Sequence, residues 1–172
     1  MGPFPVTLTR YIIEKQAAHP GATGEFSALM TQIGLVGKLI AQDLRRAGLI
    51  NVLGVTGETN IHGEAVKKLD KLANETFIKV FQYSGLVCAL ASEEMDRPVH
   101  LPENWPHGKY MLLFDPLDGS SNTDVNMPLG TVFSILRYDG KGGLPSEPEL
   151  IRRGPQQVAA GYIMYWSSTM LV

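Results

Sequence analysis

The sequence predicts an α/β protein of the layered α+β kind, in which helices pack on a mixed or antiparallel sheet. Helix-period apolar patterns occupy the first half of the chain, whereas short apolar runs typical of strands cluster in the second half. Strands and helices do not alternate regularly along the sequence, as they would in a doubly wound parallel sheet. Segregated elements of this kind favour helices layered on a sheet.

Three helices are expected in the first half of the chain. A short helix is predicted from Thr9 to Ala18, and a long amphipathic one from Glu25 to Arg46, with Gly48 as its C-cap. A third helix is predicted from Glu64 to Tyr83. The Gly-rich segment 51–63 between the second and third helices is expected to be a mobile loop.

Four strands are expected in the second half of the chain. The apolar runs that predict them lie at residues 86–92, 109–115, 130–138 and 156–166. The intervening segments 97–109 and 139–150 contain Pro and Gly and are expected to be surface loops.

Composition excludes several classes of function. The 172 residues are enough for one core, and the net charge of −2 leaves no basic stripe for nucleic acid. No apolar run is long enough to span a bilayer. Cys88 is the sole cysteine, so the chain has no internal disulfide and fits a reducing compartment. We therefore expect a cytoplasmic protein that binds neither nucleic acid nor membrane.

The second predicted strand runs into FDPLDGSSN, residues 114–122. Hard divalent cations take carboxylate and carbonyl oxygens, so Asp115, Asp118 and the Leu117 carbonyl could converge on one cation. The successive N–H groups of residues 119–121 could hold an anion beside it. A capped turn is the commoner explanation of DxxDG alone, but the full DPLDGSS run after a buried strand favours a metal beside a phosphate.

A second acidic pair, Glu93 and Glu94, ends the first predicted strand. Adjacent strand residues point to opposite faces, so one could bind metal while the other stays free for proton transfer. Two solvated glutamates would explain this pair alone, but two acidic strand ends together favour one site. Glu64 and Asp70 add further carboxylates, although their spacing does not place both on one helical face.

Other phosphatase chemistries do not match the sequence. Cys88 has Glu94 six positions later, where a cysteine phosphatase needs arginine, and Cys88 is more simply a core residue. Asp115 and Asp118 are three apart, not two as in aspartyl-phosphate enzymes, and no P-loop motif occurs. The four histidines lack metal-ligand spacing.

Four motifs together resemble the N-terminal half of a class I fructose-1,6-bisphosphatase: ATGEFSALM, GEAVKKLD, LASEE and FDPLDGSSN. The resemblance covers residues 7–172. DPLDG also suits the wider lithium-sensitive phosphatase superfamily, which includes inositol monophosphatases. GEAVKKLD and LDGSSN narrow the resemblance to the bisphosphatase branch of that superfamily. The resemblance implies a sugar-phosphatase fold, with residues 1–172 as the N-terminal domain of a two-domain enzyme. That enzyme would hydrolyse the 1-phosphate of fructose 1,6-bisphosphate in gluconeogenesis or Calvin-type carbon metabolism.

Carried over to this sequence, the resemblance implies a site for two or three Mg²⁺ ions, for which Mn²⁺ or Zn²⁺ can substitute. The metal ligands would be Glu93, Glu94, Asp115, the Leu117 carbonyl and Asp118. The substrate phosphate would be held by Asp118, Gly119, Ser120, Ser121 and Asn122. The attacking water would be activated by Glu64, Asp70 and Glu94. Segment 51–68 would be a mobile loop that closes over the site, and relatives often carry Asp at the position of Glu64.

The resemblance also implies an inhibitory AMP site before the long helix. Its residues would be Thr23, Gly24, Glu25, Phe26, Ser27, Lys109, Tyr110 and Arg137. A helix N-terminus with a Thr hydroxyl suits phosphate, although the same pattern also makes an ordinary N-cap. The parent enzyme would be a homodimer or homotetramer.

The family chain is about twice as long, and its C-terminal sugar-binding domain is absent from these 172 residues. We therefore expect little or no turnover from this chain alone, and an exposed apolar patch where the second half docks. Three alternatives stay open: a non-catalytic AMP-binding or oligomerising module, an inositol monophosphatase-like enzyme, and a sedoheptulose bisphosphatase.

Overall fold

A computed structural model describes residues 6–46, 55–59, 65–119, 129–140, 144–151 and 153–172, with backbone only for 55–59 and 65–67. The helices are α1 (Leu8–Ala17), α2 (Glu25–Arg46), α3 (Lys68–Phe81) and α4 (Glu147–Leu150), with a 3-10 turn at Gly154–Gln156. The strands are β1 (Val55–Thr59), β2 (Ala65–Lys67), β3 (Val87–Ser92), β4 (Tyr110–Asp118), β5 (Leu129–Arg137), β6 (Gln157–Tyr165) and β7 (Thr169–Leu171).

The main sheet has five strands in the order β3-β4-β5-β6-β7. Strands β3 and β4 are parallel, and every other neighbouring pair is antiparallel. Strands β1 and β2 form a separate antiparallel pair. Helices α2 and α3 cover one face of the main sheet and share its larger core. The predicted class, helices layered on a mixed sheet, is confirmed.

Helix α2 is amphipathic, and its apolar stripe forms the centre of this core. Leu29, Ile33 and Val36 are fully buried at helical spacing. Gly37 lies on the same face, where an added Cβ would come within 2.8 Å of Ile163 Cδ1. The glycine therefore lets the helix approach β6 closely.

Helix α3 anchors the strand that carries the acidic motif. The Phe77 ring stacks on Phe114 with centroids 4.3 Å apart and an interplanar angle of 16°. Aromatic contacts of this kind add to the burial of both rings. Because Phe114 directly precedes Asp115 in β4, the stack fixes the strand just before its acidic end.

Several element boundaries differ from the predictions. The third helix begins at Lys68 because residues 65–67 pair with β1 as strand β2. Strand β1 lies inside the predicted loop, and residues 51–54 and 60–64 lie outside the described residues. Strand β4 continues past Pro116 to Asp118, and both α4 and the short edge strand β7 were missed. Within the described residues, every helix is too short or too polar to cross a bilayer.

The opposite face of the sheet is covered only in part. A small cluster of Cys88, Met111, Leu136 and Leu150 packs under α4. Beyond it lie large apolar side chains that are exposed, which we call the outer apolar face: Val132, Val158, Tyr162, Met164, Met170 and Val172. Cross-strand pairing makes this surface continuous, since Val132 pairs with Tyr162 and Met164 with Met170. This face is an exposed apolar patch of the kind predicted from the sequence.

Gly161 in β6 provides a test of the packing between β5, β6 and β7. A Cβ at this position would lie 2.6 Å from Phe133 Cζ and 2.5 Å from the Val172 carbonyl oxygen. Gly161→Ala must therefore displace a core ring or the chain end, and we expect a loss of about 1–3 kcal/mol in the free energy of unfolding by urea. Gly154→Ala is the matched control, because an added Cβ there meets nothing within 4 Å. Equal stability of the two variants would contradict this packing.

Candidate active site

The parallel pairing of β3 with β4 brings the two acidic strand ends together. Ser92 pairs with Phe114, and the Glu93 N–H donates to the Phe114 carbonyl at 2.9 Å. Parallel strands end at the same edge of a sheet. Glu93 therefore follows β3 beside Asp115, which follows Phe114 in β4. The two acidic ends lie at one edge, as the sequence analysis expected.

An irregularity in β4 explains the three-residue spacing of the two aspartates. Asp115 pairs with Val132, whereas Asp118 pairs with Gly130. Three steps along β4 thus match two steps along β5, which is the count of a β-bulge. Residues three apart in an unbroken strand point to opposite faces. The extra residue returns Asp118 to the face of Asp115, so the bulge makes the two carboxylates neighbours.

The turn itself is shaped by two further features. The Leu117 N–H donates to Asp115 Oδ1 at 3.0 Å, which fixes the carboxyl group against its own backbone. Gly119 has a φ of +80°, a left-handed conformation that glycine adopts without strain. The tight turn predicted at Gly119 is therefore present.

Like charge is concentrated around Asp115. Burial above all, together with the negative charges of Asp118, Glu93 and Asp70, raises the pKa of its carboxyl group to about 6, against the Leu117 N–H bond that lowers it. Asp70 reaches this group from α3, where it is 3% exposed. A bound cation would offset this repulsion, and its preferred ligands would be the carboxylate oxygens already there.

No three His, Cys, Asp or Glu side chains in the described part of the chain are arranged as a ready-made metal site. The donor set nevertheless fits a hard divalent cation, because it consists of carboxylates that crowd a partly buried aspartate. Chemically, such an edge can hold a cation against an anionic group such as a phosphate, and it can accept protons.

Some of the predicted site residues lie in the described part of the chain, and the others lie outside it. Asp70, Glu93 and Asp118 each come within electrostatic reach of Asp115. Glu94 is half-buried beside Glu93, and its N–H donates to Ser92 Oγ at 3.3 Å, while Leu117 is buried in the turn. Gly119 lies at the end of the described turn. The predicted residues outside the described range are Glu64, Ser120, Ser121 and Asn122.

Sequence reasoning missed two polar residues beneath the turn. Thr131 is fully buried, and Tyr165 is 6% exposed. Thr131 Oγ1 lies 2.8 Å from the Pro116 carbonyl oxygen and 2.7 Å from Tyr165 Oη. Within their apolar strand patterns neither residue stands out, and only the cross-strand register reveals that they meet.

A second candidate site is a pocket of about 690 Å³ between α1 and the start of α2. Seven of the eight residues assigned to an AMP site by resemblance line it: Thr23, Gly24, Phe26, Ser27, Lys109, Tyr110 and Arg137. Helix α1 supplies a wall that the sequence analysis did not assign, made of Leu8, Tyr11, Ile12, Lys15 and Gln16. The amphipathic pattern of α1 is the signal that could have indicated it.

Glu25 lies beside this pocket and forms an ion pair with Lys109, one of the basic residues that line it. The Lys109 ammonium forms an ion pair with the Glu25 carboxylate and donates to Thr23 Oγ1 at 3.2 Å, and Thr23 donates to Glu25 at 2.9 Å. The hydrogen bonds from Lys109 and Thr23 hold the pKa of Glu25 below its usual value. Gly24, with a φ of +84°, makes the turn into α2 possible.

Comparison with known proteins agrees with the resemblance. A family model described as the N-terminal domain of fructose-1,6-bisphosphatase matches residues 6–172. Class 1 fructose-1,6-bisphosphatases of Trichormus variabilis and Synechocystis are 53% and 51% identical over 167 residues, which is 96% of this chain and 48% of each relative. The chain thus spans about half the length of the curated relatives it matches.

Solved structures give the same result for the fold. The holo form of Leishmania major fructose-1,6-bisphosphatase superimposes with a TM-score of 0.88 at 36% identity, over 99% of this chain and 52% of that one. The T-state structure of the same protein gives a TM-score of 0.78 at 34% identity.

The charge repulsion at the acidic edge gives a stability test. In EDTA at about pH 7.5, Asp115→Asn should raise the free energy of unfolding by roughly 1 kcal/mol, because solvent screening at a partly exposed group reduces the full effect of its raised pKa. The amide oxygen can still accept the Leu117 N–H.

The pH dependence of stability follows from the direction in which folding shifts the pKa of Asp115. Because folding raises the pKa of Asp115 from 3.8 to about 6, the contribution of this carboxyl group to stability falls as pH rises through this interval and is level above it. Asp115→Asn should lack that fall, whereas Asp96→Asn, at an exposed position, should keep it. Urea unfolding across this pH range measures both. An Asp115→Asn variant less stable than wild type in EDTA would contradict this description of the site.

Proposed function

The chain belongs to the fructose-1,6-bisphosphatase family, and we propose on that premise that the whole protein hydrolyses the 1-phosphate of fructose 1,6-bisphosphate. The products would be fructose 6-phosphate and inorganic phosphate. One observation supports this most strongly: strand pairing and the β4 bulge gather Asp115, Asp118 and Glu93 at one sheet edge, within reach of Asp70. Carboxylates gathered in this way can hold the divalent cations that assist phosphate hydrolysis.

We propose Mg²⁺ as the metal, with two or three ions per site and Mn²⁺ or Zn²⁺ as substitutes. When bound, Mg²⁺ would acidify a water molecule and offset negative charge on the phosphate. The residues that would hold it are Glu93, Glu94, Asp115, the Leu117 carbonyl and Asp118. The residues that would accept and pass on the proton of the attacking water are Glu64, Asp70 and Glu94. The phosphate would be oriented by Asp118, Gly119, Ser120, Ser121 and Asn122.

AMP inhibition is proposed for the pocket between α1 and α2. Two of its basic groups, Lys109 and Arg137, lie beside the N-terminal turn of α2, where backbone N–H groups and the Thr23 hydroxyl suit a phosphate. The apolar side chains of Leu8, Ile12 and Met30 offer a surface for the base. The remaining residues proposed to contact AMP are Gly24, Glu25, Phe26, Ser27 and Tyr110.

The outer apolar face supports the proposal that activity depends on residues of the full-length protein outside these 172. Apolar surfaces of this kind are normally covered, and this chain spans 48% of its relatives. We propose that the rest of the full-length protein covers this face and supplies the sugar contacts, so that residues 1–172 alone turn over little substrate. The whole enzyme would be a cytoplasmic homodimer or homotetramer.

A non-catalytic AMP-binding or oligomerising module is the second candidate function. The observation in its favour is that residues of this chain line a pocket of about 690 Å³ between α1 and the start of α2. The two functions separate by activity, because only the first requires metal-dependent hydrolysis.

Phosphate release from fructose 1,6-bisphosphate tests the primary proposal. The full-length protein should require Mg²⁺ and should be inhibited by AMP, whereas residues 1–172 alone should release phosphate at least about 100-fold more slowly, because the sugar contacts are lost. Inositol 1-phosphate and sedoheptulose 1,7-bisphosphate serve as comparison substrates. A full-length protein that is inactive with fructose 1,6-bisphosphate but binds AMP would instead support the non-catalytic module.

The AMP site is tested by removing one charge. In the full-length protein, Lys109→Met should raise the AMP concentration for half-inhibition about tenfold or more, because it deletes a charge-assisted bond to phosphate. Lys38→Met, at an exposed position on α2, is the matched control and should leave that concentration unchanged. Inhibition curves are each normalised to the variant's own uninhibited rate. Equal half-inhibition of the two variants would exclude Lys109 from the AMP site.

A further inference from the structure

A chain of hydrogen bonds runs through the core directly beneath the acidic turn. It starts at the Tyr165 hydroxyl, passes through Thr131 Oγ1 at 2.7 Å, and reaches the Pro116 carbonyl oxygen at 2.8 Å. Thr131 is fully buried, Tyr165 is almost so, and Pro116 is buried as well. These groups are therefore shielded from bulk water and satisfy one another's hydrogen-bonding capacity.

The direction of this chain follows from the number of hydrogens. The Pro116 carbonyl can only accept a hydrogen bond, so the Thr131 hydroxyl donates its one hydrogen to that oxygen. Thr131 must then accept from Tyr165, which donates its phenolic hydrogen. Burial raises the pKa of Tyr165, so the phenol keeps this hydrogen at any physiological pH.

The β4 bulge explains why Pro116 needs a side-chain donor. Asp115 pairs with Val132 and Asp118 with Gly130, so Thr131 alone faces both Pro116 and Leu117. A buried carbonyl without a donor is costly. The Thr131 hydroxyl supplies the hydrogen bond, and it does so at the point where the bulge departs from a regular strand.

The hydrogen bond from Thr131 to Pro116 is linked to Asp115 through one planar peptide group. The Pro116 carbonyl and the Leu117 N–H belong to the same peptide group, whose atoms are nearly coplanar. On its other side this peptide donates the Leu117 N–H to Asp115 Oδ1 at 3.0 Å. Any rotation of the peptide that lengthens the bond to Thr131 also turns the N–H away from Asp115.

We propose that Thr131 and Tyr165 are positioning residues for the cation site. Together they lock the Pro116–Leu117 peptide, which in turn fixes the carboxyl group of Asp115 and the path of the chain to Asp118. The inference rests on the proposed function, because it concerns the same site. It assigns to two buried hydroxyls a role in cation affinity that goes beyond stabilising the sheet.

The test uses the full-length protein and variants that each remove one hydroxyl. Thr131→Val removes the donor with little change of shape, and Thr131→Ser keeps it. Tyr165→Phe removes the second hydroxyl. Its matched control is Tyr83→Phe, at an exposed tyrosine just after α3 and outside the outer apolar face. Thr169→Val, exposed in β7, is the control for Thr131→Val.

Mn²⁺ binding by isothermal titration calorimetry is the first readout, and the Mg²⁺ concentration for half-maximal activity is the second. Thr131→Val should weaken Mn²⁺ binding about tenfold, as removal of partners behind metal ligands usually does. Tyr165→Phe should weaken it less, by roughly threefold, because Thr131 keeps its bond to Pro116. Thr131→Ser and both controls should stay within about twofold of wild type, since each keeps the buried pair of hydroxyls. At saturating Mg²⁺, activity should largely recover.

The outcomes separate this inference from the proposed function. If the wild type does not bind Mn²⁺, or if Asp115→Asn binds it as tightly as wild type, the proposed cation site is wrong and the inference falls with it. If Asp115→Asn weakens binding but folded Thr131→Val does not, the site stands and the positioning role is overturned. A Thr131→Ser variant as weak as Thr131→Val also overturns it. Should Thr131→Val not fold, wild-type affinity in Tyr165→Phe overturns it equally.

Discussion

The bulge in β4 is the constraint on which the rest of the site depends. It inserts one residue opposite Thr131, so that Asp115 and Asp118 share a face although they are three apart in sequence. Proline at 116 suits this irregularity because it has no N–H to leave unpaired. The parallel neighbour β3 then delivers Glu93 to the same edge. Without the bulge, the two aspartates would point to opposite faces of the sheet.

The site is built at a cost to stability. Burial and three neighbouring carboxylates raise the pKa of Asp115, so its ionised form is disfavoured in the folded protein. The surrounding packing offsets this cost: Phe114, the residue before Asp115, stacks on Phe77 of α3, and the Pro116 carbonyl is held by Thr131. The arrangement makes physical sense when a cation neutralises the crowded charges.

Much of the fold and of the acidic site could be predicted from the sequence. The remaining features depend on which strands pair and in which register. The span of α2 follows from its apolar period and was predicted to the residue at both ends. The acidic ends of β3 and β4 were predicted to form one site because both follow apolar runs. The separate β1–β2 pair was not predicted, since glycine and threonine in VTGET hide the strand pattern. Thr131 and Tyr165 were missed because their role arises from cross-strand register, which no local pattern encodes.

We infer that the bulged turn of β4 is a cation site. Anomalous scattering from crystals of the full-length protein grown with Mn²⁺ tests this inference. We expect an anomalous peak bonded to carboxylate oxygens of Asp115 and Asp118, at about 2.0–2.6 Å, the range of divalent metal–oxygen bonds. An intact bulge with the Mn²⁺ peak elsewhere would overturn the inference, because the crowded carboxylates would then have a purely structural cause.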